Sequence, residues 1–168
     1  TIIGGVSNYV KNKDSAIVGG SSNTVSGQYS GTIGGSNNTV SGYYSVAGGQ
    51  NNIVDSSGAA AFGINNSVTG KQGFTSGLAL QSTTAQQAVF GRANAADGYA
   101  KFIIGNGTVK SDNTANVRDN IFVVDKFGGT MGGTGLKRSA TKVNAYTDNQ
   151  SIFGAYNATD TSAYFIVG

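Results

Sequence analysis

The sequence predicts an all-β protein: a parallel β-roll, or solenoid, with turns of 14–15 residues, assembled as a homotrimer and interrupted by a β-rich insertion. Three observations carry that reading. Glycine supplies 27 of 168 residues, Pro, Cys, His and Trp are absent, and all eight acidic residues are Asp. With no Glu and few long aliphatic side chains, a helical bundle has little to build on. A Gly-x-x-Asn-x-Val motif recurs at Gly5-Asn8-Val10, Gly20-Asn23-Val25, Gly35-Asn38-Val40, Gly49-Asn52-Val54 and Gly63-Asn66-Val68, with steps of 15, 15, 14 and 14 between the glycines. Continued by 14, Gly77, Gly91 and Gly105 fall in phase, which makes eight turns. Lastly, a pair of adjacent apolar residues precedes the glycines of most early turns.

Composition closes several alternatives. Charged residues are only 11% of the chain and polar ones dominate, so disorder competes with a fold, but the strict periodicity decides against it. Collagen needs Pro and a glycine at every third residue. No apolar run is long enough for a membrane span, so membrane insertion is not expected. Without Cys there is no disulfide framework, and without His the usual zinc sites and Ser-His-Asp triads are missing. The net charge is a weak +3, unevenly spread: Asp55 is the one charge between Ser15 and Gly70, whereas Lys110 to Asp148 holds ten. The shift marks two kinds of structure, and three segments are expected: roll repeats over 1–105, a β-rich insertion with a hairpin over 106–149, and a resumed, truncated roll turn over 150–168. The sequence begins at Thr1 and reads as a fragment, in which localisation signals are not observable.

A turn of 14 residues is too short for a strand, a helix and two loops. It fits two strands of about four residues and two tight corners, stacked at about 4.8 Å per turn. The first strands are Ile2-Ile3, Ile17-Val18, Thr32-Ile33, Val46-Ala47 and Ala60-Ala61. Paired glycines (Gly4-Gly5, Gly19-Gly20, Gly34-Gly35, Gly48-Gly49) then supply positive φ at a corner. Asn follows, able to cap the turn or to form a ladder with its copy in the next turn. The second strand, such as Asn23-Thr24-Val25-Ser26, alternates with Val inward, and Ser26-Gly27, Ser41-Gly42 and Thr69-Gly70 mark the opposite corner. Adjacent residues of a strand face opposite sides, so the apolar pairs of the first strand predict that both its faces are covered. One face fills a thin roll. The other is expected to meet copies of the same chain, because one roll alone buries too little to offset backbone entropy of about 1–2 kcal/mol per residue.

The segment Ile17-Val18-Gly19-Gly20-Ser21-Ser22-Asn23-Thr24-Val25-Ser26-Gly27-Gln28-Tyr29-Ser30 resembles the head repeat of trimeric adhesins, the left-handed parallel β-roll of trimeric autotransporter heads, and similar repeats in phage and prophage tail fibres. The resemblance covers residues 1–105. It implies a left-handed trimeric roll that binds surfaces, on a virion tail fibre or at the cell surface. Asn stands where the autotransporter form usually has Ser, and the glycines are doubled; both departures favour the phage-type relatives. A bacterial surface adhesin head is the alternative. A purely structural spacer and an ice-binding solenoid are weaker ones, the latter because Tyr9, Ile53 and Ser67 interrupt the Thr24, Thr39 ladder.

The later sequence repeats as well. Gln87–Asp97 matches Gln150–Asp160 at an offset of 63, and Phe102-Ile103-Ile104-Gly105 matches Phe165-Ile166-Val167-Gly168 at the same offset. Asn106-Gly107 predicts a hairpin turn, Ile121-Phe122-Val123-Val124-Asp125 a strand, and Gly128 to Gly135 a glycine-rich stretch. The strings Ile104–Thr108 and Asn120–Gly128 resemble a module of tail proteins from phages and prophages of Gram-positive bacteria.

No enzyme is predicted. Paired Asp residues could hydrolyse a glycan, but Asp97 and Asp160 occupy equivalent repeat positions and read as turn formers, while Asp119 and Asp125 flank a strand and read as solvated. Calcium β-rolls need an Asp in every turn, so no metal or other cofactor is expected. Lys137, Arg138 and Lys142 form a small basic cluster, read as a solvated loop or as a contact for anionic cell-wall polymers. Nucleic acid is not expected, because no basic stripe alternates with aromatics. Tyr29, Tyr43 and Tyr44 fall at one corner of adjacent turns; they read as corner packing, or as a patch that stacks on sugars of a surface glycan or contacts a protein receptor.

Overall fold

A computed structural model describes residues 1–127, 130–132, 151–153 and 165–167, and among these there are strands and corners but no helix. Numbered in chain order, the first sheet takes β1 (Ile2–Ile3), β3 (Ala16–Val18), β5 (Gly31–Thr32), β7 (Val46–Gln50), β9 (Ala60–Ile64), β11 (Phe74–Leu78), β13 (Ala88–Arg92) and β14 (Ala100–Asn106), all parallel and in that order. The second sheet takes β2 (Tyr9–Val10), β4 (Thr24–Val25), β6 (Thr39–Val40), β8 (Ile53–Val54), β10 (Ser67–Val68) and β12 (Gln81–Ser82). The chain is therefore a parallel β-solenoid of about eight turns. Paired residues are 15 apart early (Ile2↔Ile17, Tyr9↔Thr24) and 14 apart later (Ser67↔Gln81, Phe74↔Ala88).

The fifteenth residue is lost at one corner. Thr32 and Thr39 are seven positions apart, but their partners Ala47 and Ile53 are six apart. The longer turns insert a left-handed glycine there, Gly4, Gly19 and Gly34 at φ 74, 72 and 68. Their first strands stop after two or three residues, whereas β7, β9, β11 and β13 run for five.

The core is one side chain thick from each sheet. Ile17, Thr32, Ala47, Ala61, Thr75, Val89 and Ile103 point in from the first, and Val25, Val40, Val54, Val68 and Ser82 from the second, all buried. Polar ladders line both corners. Asn23 donates its backbone N–H to Asn8 Oδ1 at 3.0 Å, Asn38 to Asn23 at 3.0 Å, Asn52 to Asn38 at 3.1 Å and Asn66 to Asn52 at 3.1 Å. Each of these amides also donates Nδ2 to a glycine carbonyl of the following turn, as Asn38 does to Gly49 at 2.7 Å. At the other corner Ser15, Ser30 and Ser45 repeat the device: Ser30 Oγ accepts from the Ser45 N–H at 3.0 Å and donates to the Gly42 carbonyl at 2.7 Å. The glycines have a steric reason too. A Cβ on Gly20, at φ 85, would run into the carbonyl oxygen of Gly35 in the next turn.

Beyond β14 the first sheet continues. β17 (Asn120–Asp125) pairs antiparallel with β14 and β18 (Thr130–Gly132) antiparallel with β17; β19 (Ser151–Phe153) then pairs parallel with β18, and β20 (Phe165–Val167) parallel with β19, the partners of this last pair again 14 apart. A hairpin of β15 (Thr108–Val109) and β16 (Ala115–Val117) sits beside it. Its turn corrects the expectation placed on Asn106-Gly107. Asn106 pairs with Arg92 in the ladder and the Gly107 N–H donates to the Arg92 carbonyl at 3.0 Å, so this dipeptide is the eighth roll corner. The hairpin reverses at Lys110–Thr114, where the Lys110 N–H meets the Thr114 carbonyl at 2.9 Å and Asn113 takes φ 64.

Candidate contact surface

Two features of the surface stand out, and both are apolar. The first is the outer face of the first sheet. Ile17 is fully buried while its neighbour Val18 is 48% exposed; Thr32 is buried while Ile33 is 64% exposed. From β9 onward this face turns aromatic. Phe62, Phe74, Phe90 and Phe102 follow one another at centroid distances of 6.1, 5.5 and 5.7 Å, and Phe122 on β17 meets Phe102 edge-on at 6.1 Å. The rings zigzag between two outward columns. Phe74 lies in the column of Ala60 and Ala88, and Phe90 in that of Ser76, so each small neighbour leaves room for a ring set diagonally. Such tilted pairs contribute about 0.5–1.5 kcal/mol each beyond their buried area.

The second feature is the tyrosine corner. Tyr29 and Tyr44 stack at 5.1 Å with an interplanar angle of 9°. Tyr43 is exposed beside them, its carbonyl accepting from the Gly58 N–H at 2.8 Å. The structure thus brings Tyr29 and Tyr44 into contact. Lys137, Arg138, Lys142 and Asp160 lie outside the described residues. Of the repeat residues, Gly20, Gly35 and Gly49 form exposed corners, and Asn23, Val25, Asn38, Val40, Asn52 and Val54 are buried behind them.

The chain matches no protein-family model and no curated protein.

The remaining polar groups serve local structure. Asp97 Oδ1 accepts from the N–H groups of Tyr99 and Ala100, and Asp125 Oδ1 from that of Phe127. Among the described residues no three metal-ligating side chains converge. At the hairpin tip the Thr114 hydroxyl and N–H both donate to Asp112 Oδ1, at 2.6 and 2.9 Å, and hold its carboxyl below the usual carboxylate range. The tip is tied to the roll by Asn65, whose Nδ2 donates to the Asp112 carbonyl at 3.3 Å. Arg118 does the same at the hairpin base. Its Nη1 donates to the carbonyls of Ala79 and Asn94 at 2.7 and 3.2 Å, and partial burial pushes its pKa down.

The outer column of the second sheet runs Tyr9, Thr24, Thr39, Ile53, Ser67 and Gln81, a chemically mixed row.

Proposed function

We propose that this chain is a segment of a non-enzymatic, homotrimeric fibre that attaches to a cell surface, of the phage or prophage tail-fibre kind. The observation that carries the reading is the outer face of the first sheet, with exposed Val18 and Ile33 at one end and the phenylalanine zigzag at the other. A continuous apolar strip of this kind marks an interaction surface. Three parallel copies with their first sheets facing a common axis would cover it. Because every copy rises by the same step per turn, rings and small residues would meet level by level. The doubled glycines and the asparagine ladder favour the phage-type relatives over the autotransporter form. The partner in this reading is a glycan or protein receptor on the cell surface.

Light scattering on the purified chain tests the assembly: the expected mass is three times the 17.0 kDa chain. Phe74→Asp together with Phe90→Asp should break the trimer, since charges on facing copies would be buried unpaired. A wild-type chain that is folded and monomeric would overturn the reading.

A further inference from the structure

On each strand of the first sheet two outward residues flank the buried one, and through β3 to β13 one of the two is large and the other small. Ala60 stands with Phe62 on β9, Phe74 with Ser76 on β11, and Ala88 with Phe90 on β13. The ladder puts Ala60, Phe74 and Ala88 in one column and Phe62, Ser76 and Phe90 in the other. The earlier turns keep the same economy with aliphatic residues: Val18 beside Ala16, Ile33 beside Gly31 and Val46 beside Gly48. Gly31 and Gly48 have reasons within the chain, because a Cβ would stand 2.8 Å from the Ala16 carbonyl oxygen at the first and 3.1 Å from the Phe62 ring at the second. Ala60, Ser76 and Ala88 differ from them. One strand of this sheet can hold two large outward residues at once, as β14 does with Phe102 and Ile104, so pleating alone does not make one of each pair small.

A rotation axis in front of this face sets one column of each copy against the other column of the next copy, level by level. In register, Phe74 then meets Ser76, and Phe62 and Phe90 meet Ala60 and Ala88. A slip of one turn, about 4.8 Å, sets Phe74 against Phe90 and Ala60 against Ser76. A slip the other way sets Phe74 against Phe62 and Ala60 against Gly48. Either one places ring on ring beside an unfilled gap, and crowding and voids are both destabilising. We infer that the pairing of one large with one small residue on each strand fixes the axial register between copies of this chain. It selects closure by rotation alone over a staggered assembly that would run on as an open filament. The partner of the face is a second copy, and Phe62, Phe74 and Phe90 with their small counterparts set its level. This deepens the trimer reading and rests on it.

The test adds one ring and then removes the ring that it meets. Ser76→Phe sets large against large at the level of β11. It should raise the concentration at which the trimer dissociates at least about tenfold, read by light scattering through a dilution series. Adding Phe74→Ala to the same chain removes the opposing ring from every neighbour, and should return that concentration to within about threefold of the wild type. Phe74→Ala alone leaves a hole and should weaken the trimer. Ala88→Phe, with and without Phe90→Ala, repeats the pair at β13 and carries the test if Ser76→Phe does not fold, which circular dichroism of each variant reports. A trimer untouched by Ser76→Phe and Ala88→Phe, or double variants no better than the single ones, would overturn the register and leave the trimer standing. A wild-type chain that is folded and monomeric overturns the trimer, and the register with it.

Discussion

The backbone N–H of Leu80 donates to Asn66 Oδ1 at 2.9 Å, and there the asparagine ladder ends. Leu80 occupies the position that asparagine holds in five earlier turns, is fully buried, and sends no amide onward. Asn94 in the next turn bonds back to Gln81 instead, donating to its carbonyl at 2.9 Å and accepting from its N–H at 2.7 Å. Arg118 joins these two turns from outside, one guanidinium nitrogen reaching the carbonyls of both Ala79 and Asn94. A hairpin thus takes over the cross-turn bonding where the inner ladder gives out.

Within the ladder, Asn38→Ala should be severe. It leaves the Asn52 N–H, 3.1 Å from Asn38 Oδ1, without its acceptor in a dry corner and removes the Asn38 Nδ2 donor from the Gly49 carbonyl, while the Asn52 amide keeps its bonds to the Gly48 and Gly63 carbonyls. The expected loss is about 2–4 kcal/mol per chain by chemical denaturation. Asn38→Asp keeps the acceptor but buries a charge and removes the donor to Gly49, and should be worse. A loss under about 1 kcal/mol for Asn38→Ala would mean that water reaches the corner.

Val40 and Thr39 give a pairwise test of which way the second sheet faces. Val40 is fully buried and stacked between Val25 and Val54, whereas Thr39 beside it is exposed. Val40→Asp should prevent folding or lower the melting temperature sharply. Thr39→Asp should be mild, and equal damage from the two would contradict the assigned faces.

Thr32 and Thr75 point into the core with hydroxyls that have no hydrogen-bond partner. Thr75→Val replaces the unpaired hydroxyl with a methyl of similar shape. It should stabilise the chain by about 1–2 kcal/mol, seen as a raised melting temperature, and Thr32→Val should act alike. A lowered melting temperature in both variants would indicate that the hydroxyls are bonded.

The Asp112 carboxyl should titrate below the ordinary Asp value of about 3.9. Its folded pKa is depressed, so the support it gives the hairpin tip is present above that value and is lost as pH falls through the folded one. The Thr114 amide resonance, followed by NMR through acid pH, should report the step, and Asp112→Asn should remove it. A step at or above the ordinary value would show that the Thr114 bonds are absent in solution.

Much of the solenoid is legible in the sequence because its signals recur in one column. Gly20 and Gly35, Val25 and Val40, and Asn23 and Asn38 each repeat at the turn length, so spacing alone gives the register. The phenylalanine zigzag escapes that search. Phe62, Phe74, Phe90 and Phe102 are separated by 12, 16 and 12 residues, which is 14 less or more two. Two positions along a strand keep the same face, so the alternation is intelligible once strands are in place but resembles noise in a one-column scan. Asn106-Gly107 fails for another reason. Neither residue takes a left-handed φ here; a Cβ on Gly107 would run into the carbonyl oxygens of Val117 and Ala93, a crowding that the sequence does not display, and the pairing of Asn106 with Arg92 is what places the dipeptide at a roll corner. The corner positions of Tyr29 and Tyr44 follow from the repeat. Their stacking depends on side-chain geometry.

Consecutive turns are also nearly interchangeable copies. Gly19–Ser30 and Gly34–Ser45 differ at only two positions, Ser22 against Asn37 and Gln28 against Tyr43. A turn makes its bonds to the turn before and the turn after through the same atoms each time. Slippage or unequal recombination in the underlying gene, adding or dropping one whole repeat, would therefore restore every glycine, asparagine and valine to a matching neighbour. The molecule would simply grow or shrink by about 4.8 Å. Length in this protein is a heritable quantity that can drift in whole steps without a new fold having to be found, and any contact carried beyond the roll would be moved outward or inward like a mark on a ruler.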